Sequence, residues 1–133
     1  MKAYTDLEQS IKLSDILSLE SADMRYSPLG DNLRPWVWTD TFIEKDAIPC
    51  WSLTSLLDVI PQEIFDNEYV INITEGCDDR WVLTYDHCEN RNHSYYGLSS
   101  GADNLVDACV EMIVKLHNLK LISYDTKRNN TRS

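Results

Sequence analysis

The chain has 133 residues with 12 basic and 22 acidic side chains, a formal net charge of −10. That length builds one domain with a sizeable core and not two, and a composition that is 43% hydrophobic and 26% charged is ordinary for a globular protein. No apolar run approaches the ~18 residues of a membrane span, and so acidic a body repels phosphate backbones, which argues against a membrane protein and against direct nucleic-acid binding.

The charge is uneven. Residues 120–133 hold Lys120, Lys127, Arg128 and Arg132 against Asp125, so the first 119 residues carry 8 bases and 21 acids, a net of −13 (12 − 4 = 8; 22 − 1 = 21). Solubility accounts for such a charge. The sharper alternative is a decoy for the basic groove of a nucleic-acid-binding protein.

In chain order, residues 5–19 read as a first helix. Thr5 and Glu8 make a capping-box pattern ahead of the apolar stripe Leu7, Ile11, Leu13, Ile16 and Leu17. Residues 20–35 read as a loop through Ser27-Pro28-Leu29-Gly30-Asp31-Asn32. Trp36-Val37-Trp38 reads as a short strand, and residues 41–49 fit no single pattern. A second helix follows, with Ser52 as N-cap, Leu53, Leu56, Leu57 and Ile60 as its apolar stripe, and Pro61 as its stop. Trp51 is placed to staple onto it.

Tyr69-Val70-Ile71-Asn72-Ile73-Thr74 and Arg80-Trp81-Val82-Leu83-Thr84-Tyr85 alternate with period two and predict a hairpin. Gly76 supplies a positive φ to the turn between them. Ser94-Tyr95-Tyr96-Gly97-Leu98 reads as a third strand. Asp103 and Asn104 then cap a helix that runs to Leu119. Its polar residues Asp107, Glu111 and Lys115 form one narrow stripe, so the rest of its surface is buried. The expected fold is α+β: a small antiparallel sheet within residues 69–98, packed by a long C-terminal helix and two shorter N-terminal helices. Residues 1–125 form a single domain, and 126–133 a disordered basic tail.

Chemistry-bearing residues are sparse. Cys77, His87, Cys88 and His93 are the nearest approach to a metal constellation, but they lack C-x-x-C spacing and read as a polar loop. Cys88 beside His87 and His93, or Asp86 beside His87, is weak support for covalent catalysis. Cys109 reads as a small core residue. His117 suits a helix C-terminus, and Glu20 with Asp23 is a solvated loop before it is a cation site. No catalytic residue, metal or cofactor is assigned. The N-terminus has no apolar signal region, so the four cysteines are expected as reduced thiols in the cytoplasm, and the sequons at Asn72, Asn92 and Asn129 as chance matches.

The aromatic residues carry more weight. Trp36 and Trp38 fall on one face of an extended segment. With Tyr95, Tyr96, Asp78 and Asp79 they form the candidate interface, unless the indoles roof the sheet.

The ordered set Trp51-Ser52-Leu53 leading a Leu-Leu helix to Pro61, then the hairpin, then Asp103-Asn104-Leu105-Val106-Asp107-Ala108 with Glu111-Met112 resembles small uncharacterised acidic proteins of gut Bacteroides and their phages. The likeness spans roughly residues 48–122. It implies a mobile-element origin and a bacterial cytoplasmic setting, and carries over no active site.

The functional expectation is a non-enzymatic binding protein with a protein partner, acting as an inhibitor that docks its acidic surface on a host defence protein. The alternative is a small-molecule-binding or metal-dependent hydrolytic domain using the Cys77–His93 loops.

Overall fold

The computed structural model describes residues 2–27, 35–37, 47–76, 78–90 and 92–122, with Tyr96 described by its backbone alone. Trp38, Cys77 and the basic tail lie outside the described residues. The order of elements is α1 (Leu7–Ser14), a 3₁₀ turn (Leu19–Ser21), β1 (Met24–Tyr26), β2 (Trp36–Val37), β3 (Ile48–Cys50), α2 (Leu53–Val59), β4 (Glu63–Ile64), β5 (Tyr69–Glu75), β6 (Trp81–His87), β7 (Ser94–Ala102) and α3 (Leu105–Asn118). The fold is α+β, with α3 packed on antiparallel sheet.

The larger sheet has the order β4-β5-β6-β7 and is antiparallel throughout. β5 and β6 pair in continuous register from Tyr69↔His87 to Glu75↔Trp81, as their alternation predicts. Leu83 and Tyr85 face the core with no exposure. The turn between the strands differs from expectation, because the residue at positive φ is Asp79 (+60°) and not Gly76. Gly76 is needed for closeness instead. Its amide donates to the Arg80 carbonyl, and an added Cβ would sit 3.3 Å from that oxygen.

β7 runs past Leu98 to Ala102. Between the Thr84–Ser99 and Asp86–Ser94 pairs, β6 has Tyr85 alone where β7 has residues 95–98, and Gly97 there takes a φ of +89°. This irregularity bends β7 and re-aims its first aromatic residue.

α3 lies against β6 and β7, with α1 and α2 also packed on it. Val106, Ala108, Cys109, Val110, Met112, Ile113 and Leu116 are all buried, so the apolar wrap of this helix follows from its central place. Burying side chains of Leu, Ile or Met size contributes roughly 1.5–3 kcal/mol each. Asn104 caps the helix by accepting from the Asp107 amide.

The first helix is shorter than its pattern, and its cap lies one residue later. Asp6 accepts from the Gln9 amide, and the Gln9 side chain accepts from the Asp6 amide. Thr5 is fully buried instead. It exchanges bonds with Trp51 through both backbone and hydroxyl, and its carbonyl accepts from the Tyr26 hydroxyl. Once Thr5 is held in this way, Asp6 is the next residue able to cap.

The unforeseen feature is a second, three-stranded antiparallel sheet of order β2-β1-β3. β1 falls inside the stretch expected to be loop. Trp51, placed by sequence to staple onto α2, shares the core cluster with Leu56 of that helix. It is a core residue with no exposure, and its Nε1 donates to the Ser21 hydroxyl at 2.9 Å. α2 is capped by Ser52 and stops before Pro61, as expected. Leu57, assigned to its buried stripe, is exposed.

Candidate functional site

Among the described residues, the most unusual backbone is the β4–β5 turn. Phe65, Asp66 and Asn67 take φ values of +54°, +55° and +71°, three left-handed residues in a row. Asp and Asn tolerate that region, but a bulky side chain there costs roughly 1–2 kcal/mol. The turn closes with the Glu68 amide donating to the Phe65 carbonyl. What the strain achieves is placement. The Phe65 ring packs on Tyr95 at 5.0 Å between centroids and meets Tyr69 edge-on at 6.2 Å, while remaining 41% exposed.

The cluster extends through Tyr69 to His87 (5.4 Å), His93 (6.3 Å) and Tyr95 (5.3 Å). β5 contributes Tyr69, the end of β6 His87, and the start of β7 Tyr95, so the register of three strands brings these rings together. His87 and His93 are 6.5 Å apart. Backbone bonds hold this end of the sheet: the His87 amide donates to the His93 carbonyl, and the Cys88 amide to the Glu68 carbonyl.

The geometry fixes the His87 tautomer. Nδ1 accepts from the amides of Glu89 (3.2 Å) and Asn90 (3.4 Å), so the ring proton sits on Nε2, which faces Glu68 Oε1 at 3.5 Å. Among the described residues no three His, Cys, Asp or Glu side chains converge as metal ligands would. Of the four residues named for a metal, Cys77 lies outside the described residues. Cys88 is exposed, while Cys50 and Cys109 are buried. Burial pushes the Cys109 thiol up to about 12 and raises that of Cys50, the opposite of what a nucleophile requires.

Of the expected interface residues, Trp38 and the side chain of Tyr96 lie outside the described residues, and the others are spread over β2, β7 and the β5–β6 turn. Trp36 lies on β2 of the small sheet, 60% exposed beside Val37 at 70%. Tyr95 belongs to the ring cluster. Asp78 and Asp79 are exposed in the β5–β6 turn, at the other end of strands about 20 Å long. Asp23, once paired with Glu20 as a candidate cation site, accepts instead from the amide and hydroxyl of Ser52. Sequence reasoning missed Phe65 and Glu68. Asp66-Asn67 after an apolar residue signals a turn, but not that Phe65 itself would be left-handed.

Asp86 is nearly buried, with its carboxylate accepting from Asn72 (3.1 Å) and Ser94 (2.7 Å). A groove of about 470 Å³ runs between α1 and α3, with Val110 and Val114 among its lining and Glu8, Lys12, Glu111 and Lys115 also along it. It gathers no convergent chemistry. No helix among the described residues is long and apolar enough to cross a membrane. Comparison with protein-family models, with curated proteins and with solved structures finds no match.

Proposed function

We propose that this chain is a non-enzymatic binding protein that docks on a basic protein partner. The observation that carries the reading is exposed aromatic residues on a strongly acidic chain: Trp36 on an edge strand, and Phe65 at a strained turn, with a net charge of −10. Isolated apolar residues at a surface are ordinary. An exposed tryptophan on an edge strand, and a phenylalanine held out at a backbone cost, are the features an interface uses as anchors. The acidic body would steer the encounter, and the aromatic residues would hold the complex.

Under the same reading the chain is an inhibitor of a host defence protein, in the bacterial cytoplasmic setting implied by the resemblance to Bacteroides and phage proteins. The test is affinity capture from a bacterial lysate at low and high salt, with Trp36→Ala in parallel after its fold is verified by circular dichroism. The expected outcome is a basic protein retained at low salt and reduced both by high salt and by the variant. Capture indifferent to salt and to Trp36 would refute the proposal.

A further inference from the structure

Resting on that docking reading, we infer that the ring cluster at the β4–β5 turn selects arginine side chains of the partner over lysine. Phe65, a residue 41% exposed, has its ring backed by Tyr95 at 5.0 Å and Tyr69 at 6.2 Å. Contact with two rings of the sheet on one side leaves its remaining surface as a platform for a partner. Asp66 adjoins it in the turn, and Glu68, with its side chain 56% exposed, closes the turn. One Glu68 oxygen faces His87 Nε2 at 3.5 Å, which orients the carboxylate without covering it.

A guanidinium group is flat and weakly hydrated. It stacks on an aromatic face while its N–H groups reach a carboxylate beside the ring. An ammonium group is compact and strongly hydrated, so on the same platform it keeps little beyond its charge. The net charge of −10 attracts either cation. The ring supplies the choice between them. This also gives the strained backbone at Phe65 a purpose that core packing does not, since the side chain it positions is left half outside the core.

The test uses the full chain and two synthetic peptides of equal length and charge, one alternating arginine with glycine and one lysine with glycine. Titration calorimetry at low salt should show the arginine peptide binding about ten-fold tighter. Phe65→Leu keeps an apolar side chain but removes the aromatic face, and should abolish the preference. Phe65→Tyr should retain it. Glu68→Gln should weaken the arginine peptide more than the lysine peptide, whereas Asp78→Asn, at the other end of the sheet, should affect both alike. Equal affinity of the two peptides would overturn the inference and leave docking by overall charge standing. An arginine preference that survives in Phe65→Leu would overturn it as well. If neither peptide binds, the inference falls, and the capture experiment, which uses no peptide, decides the docking reading separately.

Discussion

At the scale of single residues, the buried groups set how the fold responds to pH and to substitution. Met112 has no exposure and sits on the face of α3 that fills the core. Met112→Asp places an unpaired charge there and should cost about 3 kcal/mol or more. A urea melt close to that of the parent would show that the face is misassigned. Cys109 is equally buried, and burial lifts its thiol from the ordinary 9.0 to about 12. Between those values the folded chain keeps a proton that the unfolded chain has lost. Stability is therefore intact below about pH 9 and falls as pH rises towards 12, by about 1.4 kcal/mol per pH unit for this thiol. Burial also raises the Tyr26 and Tyr85 hydroxyls above their ordinary 10.0, so the decline steepens beyond that point. Urea melts between pH 8 and 10 should show a shallower fall in Cys109→Ala than in the parent. Equal slopes would mean that the thiol titrates normally in the folded chain.

At the scale of elements, the start of α3 is tied to the N-terminal segment through one carboxylate. Asp107 accepts from Lys2 Nζ at 2.8 Å, from Gln9 Nε2 at 2.8 Å and from Asn104 Nδ2 at 2.8 Å. Burial alone would raise its pKa, but these hydrogen bonds and the Lys2 charge outweigh it and hold the group below its ordinary 3.8. A depressed carboxylate contributes stability that is present above the ordinary value and lost as pH falls through the lower folded one. Because the site is partly open to solvent, Asp107→Asn should cost only about 1 kcal/mol at pH 7. The difference between variant and parent should shrink as both are taken towards pH 2. A difference that persists there would place the effect in the shape of the side chain and not in its charge. The same helix shows what periodicity can reveal. Its apolar wrap from Val106 to Leu116 and the alternation of β5 and β6 were long enough to define an element type, and all three elements form. β1 and β3 are three residues each, too short for any period to register, while β2 lies in the Trp36-Val37-Trp38 stretch that reads as a strand but does not reveal its pairing. They exist because Met24 meets both Val37 and Cys50 across the small sheet, contacts distant in sequence. Pro49 inside β3 further hides that strand. The cap of α1 moved for a related reason. Thr5-x-x-Glu8 and Asp6-x-x-Gln9 overlap in the sequence, and the bonds between Thr5 and Trp51 decide between them.

At the scale of the whole molecule, the candidate site was only partly legible. Tyr95, His87 and His93 stood out as residue types, but their convergence with Phe65 and Tyr69 depends on strand register and on the irregularity in β7. Asp78 and Asp79 share the expected interface with Tyr95, and the hairpin carries them to its far end. Charge, by contrast, needs no register to act, because the field of a net −10 chain is a property of the whole molecule. If docking uses that field, many acidic side chains contribute small amounts and no single one is decisive. An anchor behaves differently, since it holds one desolvated position. Against a partner identified by capture, affinity should fall as salt screens the encounter, chiefly through a slower association rate. Trp36→Ala should weaken binding more than any single acidic-to-alanine change, by about 2 kcal/mol, chiefly through faster dissociation. Rates measured at low and high salt separate the two contributions. Affinity flat with salt together with normal binding by Trp36→Ala would place the docking surface elsewhere. Loss of folding in that variant would instead return Trp36 to a structural role in the small sheet, leaving Phe65 as the remaining exposed anchor.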